Sequence, residues 1–569
     1  MSTTNNLLIG KLLIDEGVIT PAQLDSALKE QKKTGDFICA TLAKLGFASE
    51  EKIFAVLSKQ LNLPYLKLKN LEIQPQVIQK VSAKFASHYK IIPIDFKENV
   101  LAIAMTDPLD IRTLDDLRLL LGIEVKGVLA SEMEIQESIL KYYGVGAETV
   151  EKMIAQKSPA QESRLADSRI EDLADLAEDA SIIKFVNQIL AQAVKERATD
   201  IHFEPFQDEL VARFRIDGIL YDINVPDTIK YFQPAIVSRI KIMSGLNIAE
   251  RRLPQDGRMK IKVNEQELDL RVSTIPTIFG ESVQIRILSS SLFLELEKLG
   301  FGVESLKMME SAIKKPHGII FVTGPTGSGK STTLYACLSK INSASIKIIT
   351  IEDPVEYQLR GVNQIQINPQ IGLSFATVLR HILRHDPNVI MVGEVRDAET
   401  AEIAIRAALT GHMVFSTLHT NDAAGAVTRL LDMGVEPFLV ASSLECLIAQ
   451  RLVRKICPKC SAATPVKKEI LDQIKGVHIS ARDIVFQEGK GCEECRFTGY
   501  LGRTAILEIM PVTEQVREMV LSHASSQQIR QKAVSQGMRT LRDDGILKAT
   551  KGITTLTEVL RVTQQEETL

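Results

Sequence analysis

Apolar positions along the chain fall into blocks with different periods, and those blocks set the expected organisation. In the first sixty or so residues the pattern occurs twice, Leu8–Gln31 aligning with Phe37–Gln60 and matching Leu13 with Leu42, Gly17 with Gly46, Leu24 with Ile53, Leu28 with Leu57 and Gln31 with Gln60. After each glycine the apolar spacing suits a short helix with one buried face, preceded by a glycine-terminated turn of helix, so a duplicated helical packing unit is predicted. From Leu61 to Tyr143, β-rich runs such as Val100–Ala104 alternate with helical periodicity at Ile111–Leu121, which predicts a small α/β layer. Residues 1–145 are therefore expected to form an N-terminal regulatory or docking module.

Residues 146–178 are poor in large apolar side chains and rich in Ala, Glu, Gln, Ser and Asp, the composition of a flexible linker. Helical spacing returns at Ser181–Val194. Leu210–Ile216 and Leu268–Thr274 then alternate like half-buried strands, so 179–298 reads as an α+β domain. From 299 to 569 short, fully apolar runs alternate with helices, which is the pattern of a parallel sheet covered on both faces and of an α/β class.

Composition adds exclusions. At 569 residues, with 45% apolar and 24% charged residues, the chain suits roughly three to four packed domains and not wholesale disorder. Lys+Arg 68 against Asp+Glu 71 leaves a net charge of −3, and with no Trp there is neither a global basic footprint nor a stacking platform for nucleic acid. No run approaches the roughly 18–20 apolar residues of a spanning helix, and the first residues lack a secretory signal. A cytoplasmic protein that touches a membrane only through a partner or a surface is expected.

The sharpest chemical signal is Gly324-Pro325-Thr326-Gly327-Ser328-Gly329-Lys330-Ser331-Thr332, a full match to G-x-x-x-x-G-K-[S/T]. The apolar run from Gly318 leads into it and a helical segment leads out. Backbone N–H groups of such a loop cradle phosphates at a helix N-terminus, Lys330 reaches the β and γ phosphates of ATP, and the Ser331 hydroxyl holds Mg2+. Three later apolar strands end in polar residues: Glu352, Asp353 and Glu356 after one, Glu394 after the next, and His419 after Met413–Leu418, with His412 before it. In an open parallel sheet ligands bind beyond the carboxyl ends of the strands, so these endings are predicted to converge on the phosphate loop. Glu394 is the expected Walker B carboxylate, orienting water or holding Mg2+ through water. Gly393 replaces the usual preceding aspartate, which shifts metal-binding weight to Ser331 and to Glu352, Asp353 or Glu356.

Four of the seven cysteines form Cys457-x-x-Cys460 and Cys492-x-x-Cys495. Two such knuckles supply a closed tetrahedral thiolate shell for structural Zn2+ with no open ligand position; buried free thiols or a redox pair are the competing readings.

Together the phosphate loop, the acidic box Ile351–Glu356, Gly393–Asp397 and Gly411–Asp422 resemble the ATPases of type II secretion and type IV pilus systems. Ala198–Pro205, Arg213–Gly218 and Arg252–Arg258 are similar to that family's second domain, so the resemblance runs from about Asp179 to the C-terminus. The paired cysteines and the long N-terminal module are features that the pilus extension and type II secretion members share and the shorter retraction members lack; the length and the N-terminal repeat make the chain more like the pilus extension members, with the type II secretion motor as the alternative. The resemblance implies a RecA-like ATPase core after a PAS-like domain and a homohexamer with nucleotide between subunits. It further implies ATP hydrolysis coupled to an inner-membrane platform protein that feeds pilins into a fibre. It places Arg271 and Arg286 at the nucleotide phosphates and the cysteine loop, 457–495, near the platform-facing side. A nucleic-acid translocase or a nucleotide-gated scaffold is the alternative outside the motor class.

The N-terminal repeat also resembles a module that binds cyclic di-GMP in some extension ATPases. There each unit begins with a basic residue, then Leu and Gly. Here the units begin Leu8-Ile9-Gly10 and Phe37-Ile38-Cys39, so both basic positions and the second glycine are lost. These losses weigh against cyclic di-GMP binding and favour docking of a cytoplasmic partner on a retained fold.

Overall fold

The computed structural model describes residues 3–34, 37–107, 110–155, 179–263, 266–288, 295–465 and 486–563. The chain divides into two compact units, Met1–Ser289 and Ser290–Leu569.

The first unit opens with helices Thr3–Asp15, Pro21–Thr34, Ile38–Lys44 and Glu50–Leu61. The repeat in the sequence is a repeat in space: Leu13 and Leu42 are fully buried, as are Ile53 and Leu57, and Leu24 is nearly so. Gly17 and Gly46 close the first helix of each copy at φ 69° and 72°, a left-handed conformation that favours glycine. A three-stranded sheet follows, in the order β1 (Ile92–Lys97), β2 (Val100–Met105), β3 (Glu124–Leu129), with the helix Ile111–Leu121 crossing between the two parallel strands β2 and β3.

The expected linker, 146–178, holds a packed helix in its first residues. Residues Ala147–Ala155 form a helix that buries Val150 and Met153 in one core with Ile182, Phe185 and Ile189 of the helix Ala180–Lys195. Those two apolar side chains, three residues apart on one face, outweigh the polar composition around them. The remainder of that stretch, 156–178, lies outside the described residues. Six antiparallel strands complete the unit: β4 (Asp200–Pro205), β5 (Leu210–Ile216), β6 (Ile219–Ile223), β7 (Gln255–Val263), β8 (Gln266–Thr277) and β9 (Gly280–Leu288), in the order β6-β5-β4-β9-β8-β7. Alternation sends Phe203, Phe214, Leu270, Val272, Val283 and Ile285 into the core beneath the helices Ala180–Lys195 and Gln233–Met243. The opposite face carries Arg258, Arg271, Arg286, Asp200 and Arg215, paired neighbour to neighbour across five strands.

The second unit is built on a seven-stranded sheet. Its strands are β10 (Gly318–Thr323), β11 (Ile348–Glu352), β12 (Val362–Gln366), β13 (Val389–Val392), β14 (Met413–Leu418) and β15 (Leu444–Ile456), and, after the short hairpin of β16 (Ser461–Thr464) with β17 (Phe486–Gly489), β18 (Tyr500–Pro511). The order is β12-β11-β13-β14-β10-β15-β18, with only the last pairing antiparallel. Both faces are covered: Ile319 and Phe321 of β10 join one core, Ile320 and Val322 the other. Burial on both faces accounts for the uninterrupted apolar runs seen in the sequence.

Candidate active site

The phosphate loop leaves the carboxyl end of β10, whose six residues are all buried, and enters the helix Lys330–Ile341. Gly324, Gly327 and Gly329 all have positive φ, at 146°, 79° and 88°. At Gly324 a Cβ would come within 2.6 Å of the Gln450 carbonyl oxygen and 2.7 Å of Ser328 Oγ, so the loop depends on glycine for both conformation and space. Pro325, Thr326 and Gly327 are exposed at its crest, and Ser331 and Thr332 open the helix. The Ser328 hydroxyl is buried without a hydrogen-bond partner among the described residues, an acceptor or donor left for a phosphate oxygen. Lys330 Nζ donates to the carbonyls of Gly324 at 2.8 Å and Pro325 at 3.2 Å. Burial holds its ammonium below the ordinary lysine range, the Arg451 charge adds to the shift and Glu394 opposes it.

The strand ends do converge. Glu394 follows β13; its carboxylate is paired with Arg396 and lies 3.3 Å from His419 Nε2, just past β14. Asp353 Oδ2 is 3.9 Å from the same Arg396 guanidinium. Gly393, in the usual aspartate position, is closely packed against the end of β11. Its N–H bonds the Ile351 carbonyl at 2.7 Å, and a Cβ there would meet that oxygen at 3.2 Å and Glu352 Cα at 3.4 Å.

Two expectations change. Glu352 is 4% exposed, and its carboxylate accepts from Tyr335, from Thr350 Oγ1 at 2.5 Å and from Gln364 Nε2 at 3.1 Å. Three protein donors thus hold it in the interior, and it is not placed as an open metal ligand. His412 lies at the other end of the sheet, where its backbone carbonyl accepts from Gly318 N at the start of β10 and its ring Nδ1 is 2.9 Å from the Ala407 carbonyl oxygen. Six strand residues, about 20 Å, separate that edge from the phosphate loop, so His412 is a structural hydrogen-bonder rather than a catalytic group.

Sequence reading missed Gln450 and Arg451, which lie midway along β15 beside the loop. Gln450 Nε2 donates to the Ser328 carbonyl at 2.9 Å, and its Oε1 accepts from Thr333 Oγ1 at 2.7 Å. It ties loop to helix. Arg451 reaches the Asn421 carbonyl and side chain at 3.2 Å each. The available signal was a polar pair inside an otherwise apolar strand; without knowing that β15 lies directly beside β10, nothing placed that pair at the phosphate loop.

Arg271 and Arg286 are direct cross-strand neighbours on the polar face of their own unit. Arg286 Nε donates to Asp200 Oδ1 at 3.0 Å. For Asp200, burial works against its charged form, but bonds from Thr199 and Arg286 keep it below the usual carboxylate range.

The four cysteine sulfurs lie within 4.8 Å of one another, with 3.7 Å between Cys457 and Cys492, between Cys460 and Cys495, and between Cys492 and Cys495. Tetrahedral Zn–S bonds of about 2.3 Å put sulfurs about 3.8 Å apart, so the cage fits zinc.

Residues 175–561 match the family described as type II/IV secretion system protein. The chain belongs to that family. Residues 61–149 also match the MshEN domain, the region of the three-stranded sheet. Members of the type II/IV secretion family similar to it include the type IV pilus assembly ATPase PilB of Myxococcus xanthus, 44% identical over 97% of this chain and 98% of that one. Another is the type II secretion system protein E of Xanthomonas campestris pv. campestris, 42% identical over 98% of both. Among solved structures, the Legionella pneumophila ATPase DotB superposes with a TM-score of 0.50 at 22% identity, covering 67% of this chain and 95% of that one, a likeness of fold. The expected secretion-ATPase family and RecA-like core with a preceding α+β domain are thereby borne out.

Proposed function

We propose that the chain is an ATP-hydrolysing motor that, as a homohexamer, drives type IV pilus assembly through an inner-membrane platform protein. The observation that carries this reading is the single sheet edge at which the full phosphate loop meets Glu394, Asp353 and His419. The near-full-length identity to a pilus assembly ATPase supports the pilus assignment. Type II secretion is the second reading, favoured by comparable identity to a type II secretion protein over the same length. No helix among the described residues is long and apolar enough to cross a membrane, which suits work at the cytoplasmic side of the inner membrane through a partner.

In the mechanism, the loop amides and the helix N-terminus bind the phosphates, and Lys330 turns from the loop carbonyls to the β and γ oxygens. Glu394, held between Arg396 and His419, orients the attacking water. Ser331, with Asp353, Glu356 or Glu394 through water, would hold Mg2+, which neutralises phosphate charge. Arg271 and Arg286, as planar donors, fit the γ phosphate and report ATP against ADP to the domain that carries them. Cys457, Cys460, Cys492 and Cys495 hold structural Zn2+ beside the platform-facing surface. The N-terminal repeat docks a partner, and cyclic di-GMP binding by the N-terminal module is tested by calorimetry; the MshEN match covers 61–149, which follow the repeat.

Purified protein should release phosphate from ATP, and Lys330→Ala should abolish release while leaving the melting temperature in place. Wild type without phosphate release overturns the motor reading. Arg271→Ala should fold and turn over more slowly; unchanged turnover removes that arginine from the mechanism. In the host, deletion should remove surface pili and spare exoprotein secretion, and the reverse result selects the type II reading.

A further inference from the structure

Tyr335 sits five residues after Lys330 on the same helix and is fully buried. Its ring packs edge-on against Tyr357, with centroids 5.9 Å apart. A phenylalanine would fill that space equally well, so the hydroxyl needs its own explanation, and it has two partners. It donates to the buried carboxylate of Glu352 and accepts the backbone N–H of Glu356 at 3.1 Å. The acidic box is therefore clipped at both ends to one phenol, with Asp353, Pro354 and Val355 looped between. Thr350 and Gln364 supply the other donors to Glu352, so the carboxylate is locked in one orientation. Gln364 in turn bonds the Tyr357 carbonyl at 2.9 Å and accepts from Leu359 N at 2.7 Å, which holds the far side of the box to β12.

The geometry points to Tyr335 as a positioning residue whose hydroxyl fixes the acidic box against the phosphate-loop helix, and so sets where Asp353 stands relative to Lys330 and Ser331. Asp353 faces Arg396, and Arg396 pairs with Glu394. One rigid helix thus carries the phosphate-binding lysine at its start and, about 7.5 Å along its axis, the hydroxyl that places the acidic groups. Reacting groups need placement to within about an ångström, and an error of that size costs up to about a hundredfold in rate.

This inference rests on the ATPase reading, and the experiment separates the two. Wild type and Tyr335→Phe are compared for melting temperature, affinity for a fluorescent ADP analogue, steady-state ATP turnover and the Mg2+ concentration for half-maximal rate. The expected result is unchanged ADP affinity, kcat at least about tenfold lower and a higher Mg2+ requirement, because the phosphate loop is intact while the acidic groups are loosened. A variant that melts lower but keeps kcat and Mg2+ dependence within twofold would show packing alone and overturn the assignment. If Tyr335→Phe does not fold, Thr350→Val, which removes another donor to the same carboxylate, is measured with the same expectation at smaller size. Wild type without turnover overturns the motor reading and this assignment with it; normal turnover in both proteins overturns this assignment alone.

Discussion

Replacing Gly393 with alanine tests whether the missing Walker B aspartate is a steric necessity. The glycine's N–H is bound to the Ile351 carbonyl at 2.7 Å, and the new methyl would sit 3.2 Å from that same oxygen and 3.4 Å from Glu352 Cα. Both obstacles are backbone atoms at the end of β11. That end does not yield easily, because Glu352 is bonded to Tyr335, Thr350 and Gln364. Relief by a few tenths of an ångström must come from parting β11 and β13 or bending the box, and overpacking of this kind costs about 1–3 kcal/mol. For a unit of this size each kcal/mol lowers the melting temperature by about 2–4 °C, so a drop of about 2–12 °C is expected. Because the displaced atoms adjoin Glu394 and the acidic box, kcat should fall as well, with nucleotide affinity little changed. Differential scanning calorimetry and phosphate release read the two effects. A melting temperature within 1 °C of wild type would refute the steric account and leave the missing aspartate without an explanation in this structure.

Cys492→Ser should reduce bound zinc in the purified protein from about one equivalent to less than half, by atomic absorption, and lower the melting temperature; retention of a full equivalent would reject the cage. His412→Ala should keep kcat within twofold, since it lies at the opposite sheet edge, while losing its bond to Ala407 for about 1 kcal/mol of stability. A tenfold loss of rate would return it to the site. Glu558 gives a pH dependence: burial opposes its charge, but bonds from Arg561 and Arg454 overcome this and hold its carboxyl below the ordinary value of 4.5. A depressed folded value means the stabilisation is present above about pH 4.5 and is lost as pH falls through the folded value. The gap in melting temperature between wild type and Glu558→Gln should therefore be widest near neutral pH and close in acid; a gap independent of pH would refute the ionic role.

The parts legible from sequence were those whose chemistry is local in the chain. The phosphate loop and the cysteine knuckles each need their residues within one turn, so spacing alone exposes them. The buried strands show as apolar runs because both sheet faces are covered. What stayed hidden depends on which strands are neighbours. Gln450 reaches Ser328 only because β15 pairs directly with β10, and the sheet order is set by long-range packing rather than by local pattern. His412 failed for the complementary reason: it is close to His419 in sequence, but one extended strand puts the two at opposite edges. The helix Ala147–Ala155 failed because two large apolar side chains, Val150 and Met153, with the small Ala147 and Thr149, suffice to dock a short helix, too weak a signal to read against a polar background.

Glu352 and Gly393 show how this hidden layer bears on chemistry. A sequence that places a carboxylate at a strand end beside a phosphate loop suggests a metal ligand, yet burial and three donors make this one a fixed strut. With β11 so fixed, a side chain at 393 needs a backbone shift of a few tenths of an ångström, and a glycine at 393 leaves the following Glu394, with Asp353, as the acidic groups presented at that edge. The departure from the usual aspartate and the fixing of Glu352 by three donors are then one arrangement. It follows that Gly393→Ala and Tyr335→Phe should be non-additive: once the hydroxyl that pins the box is gone, the box can yield to the methyl, and the double variant should lose less stability than the two single losses together. Additivity within about 0.5 kcal/mol would mean that the two positions act separately and that the strut is not what excludes the side chain.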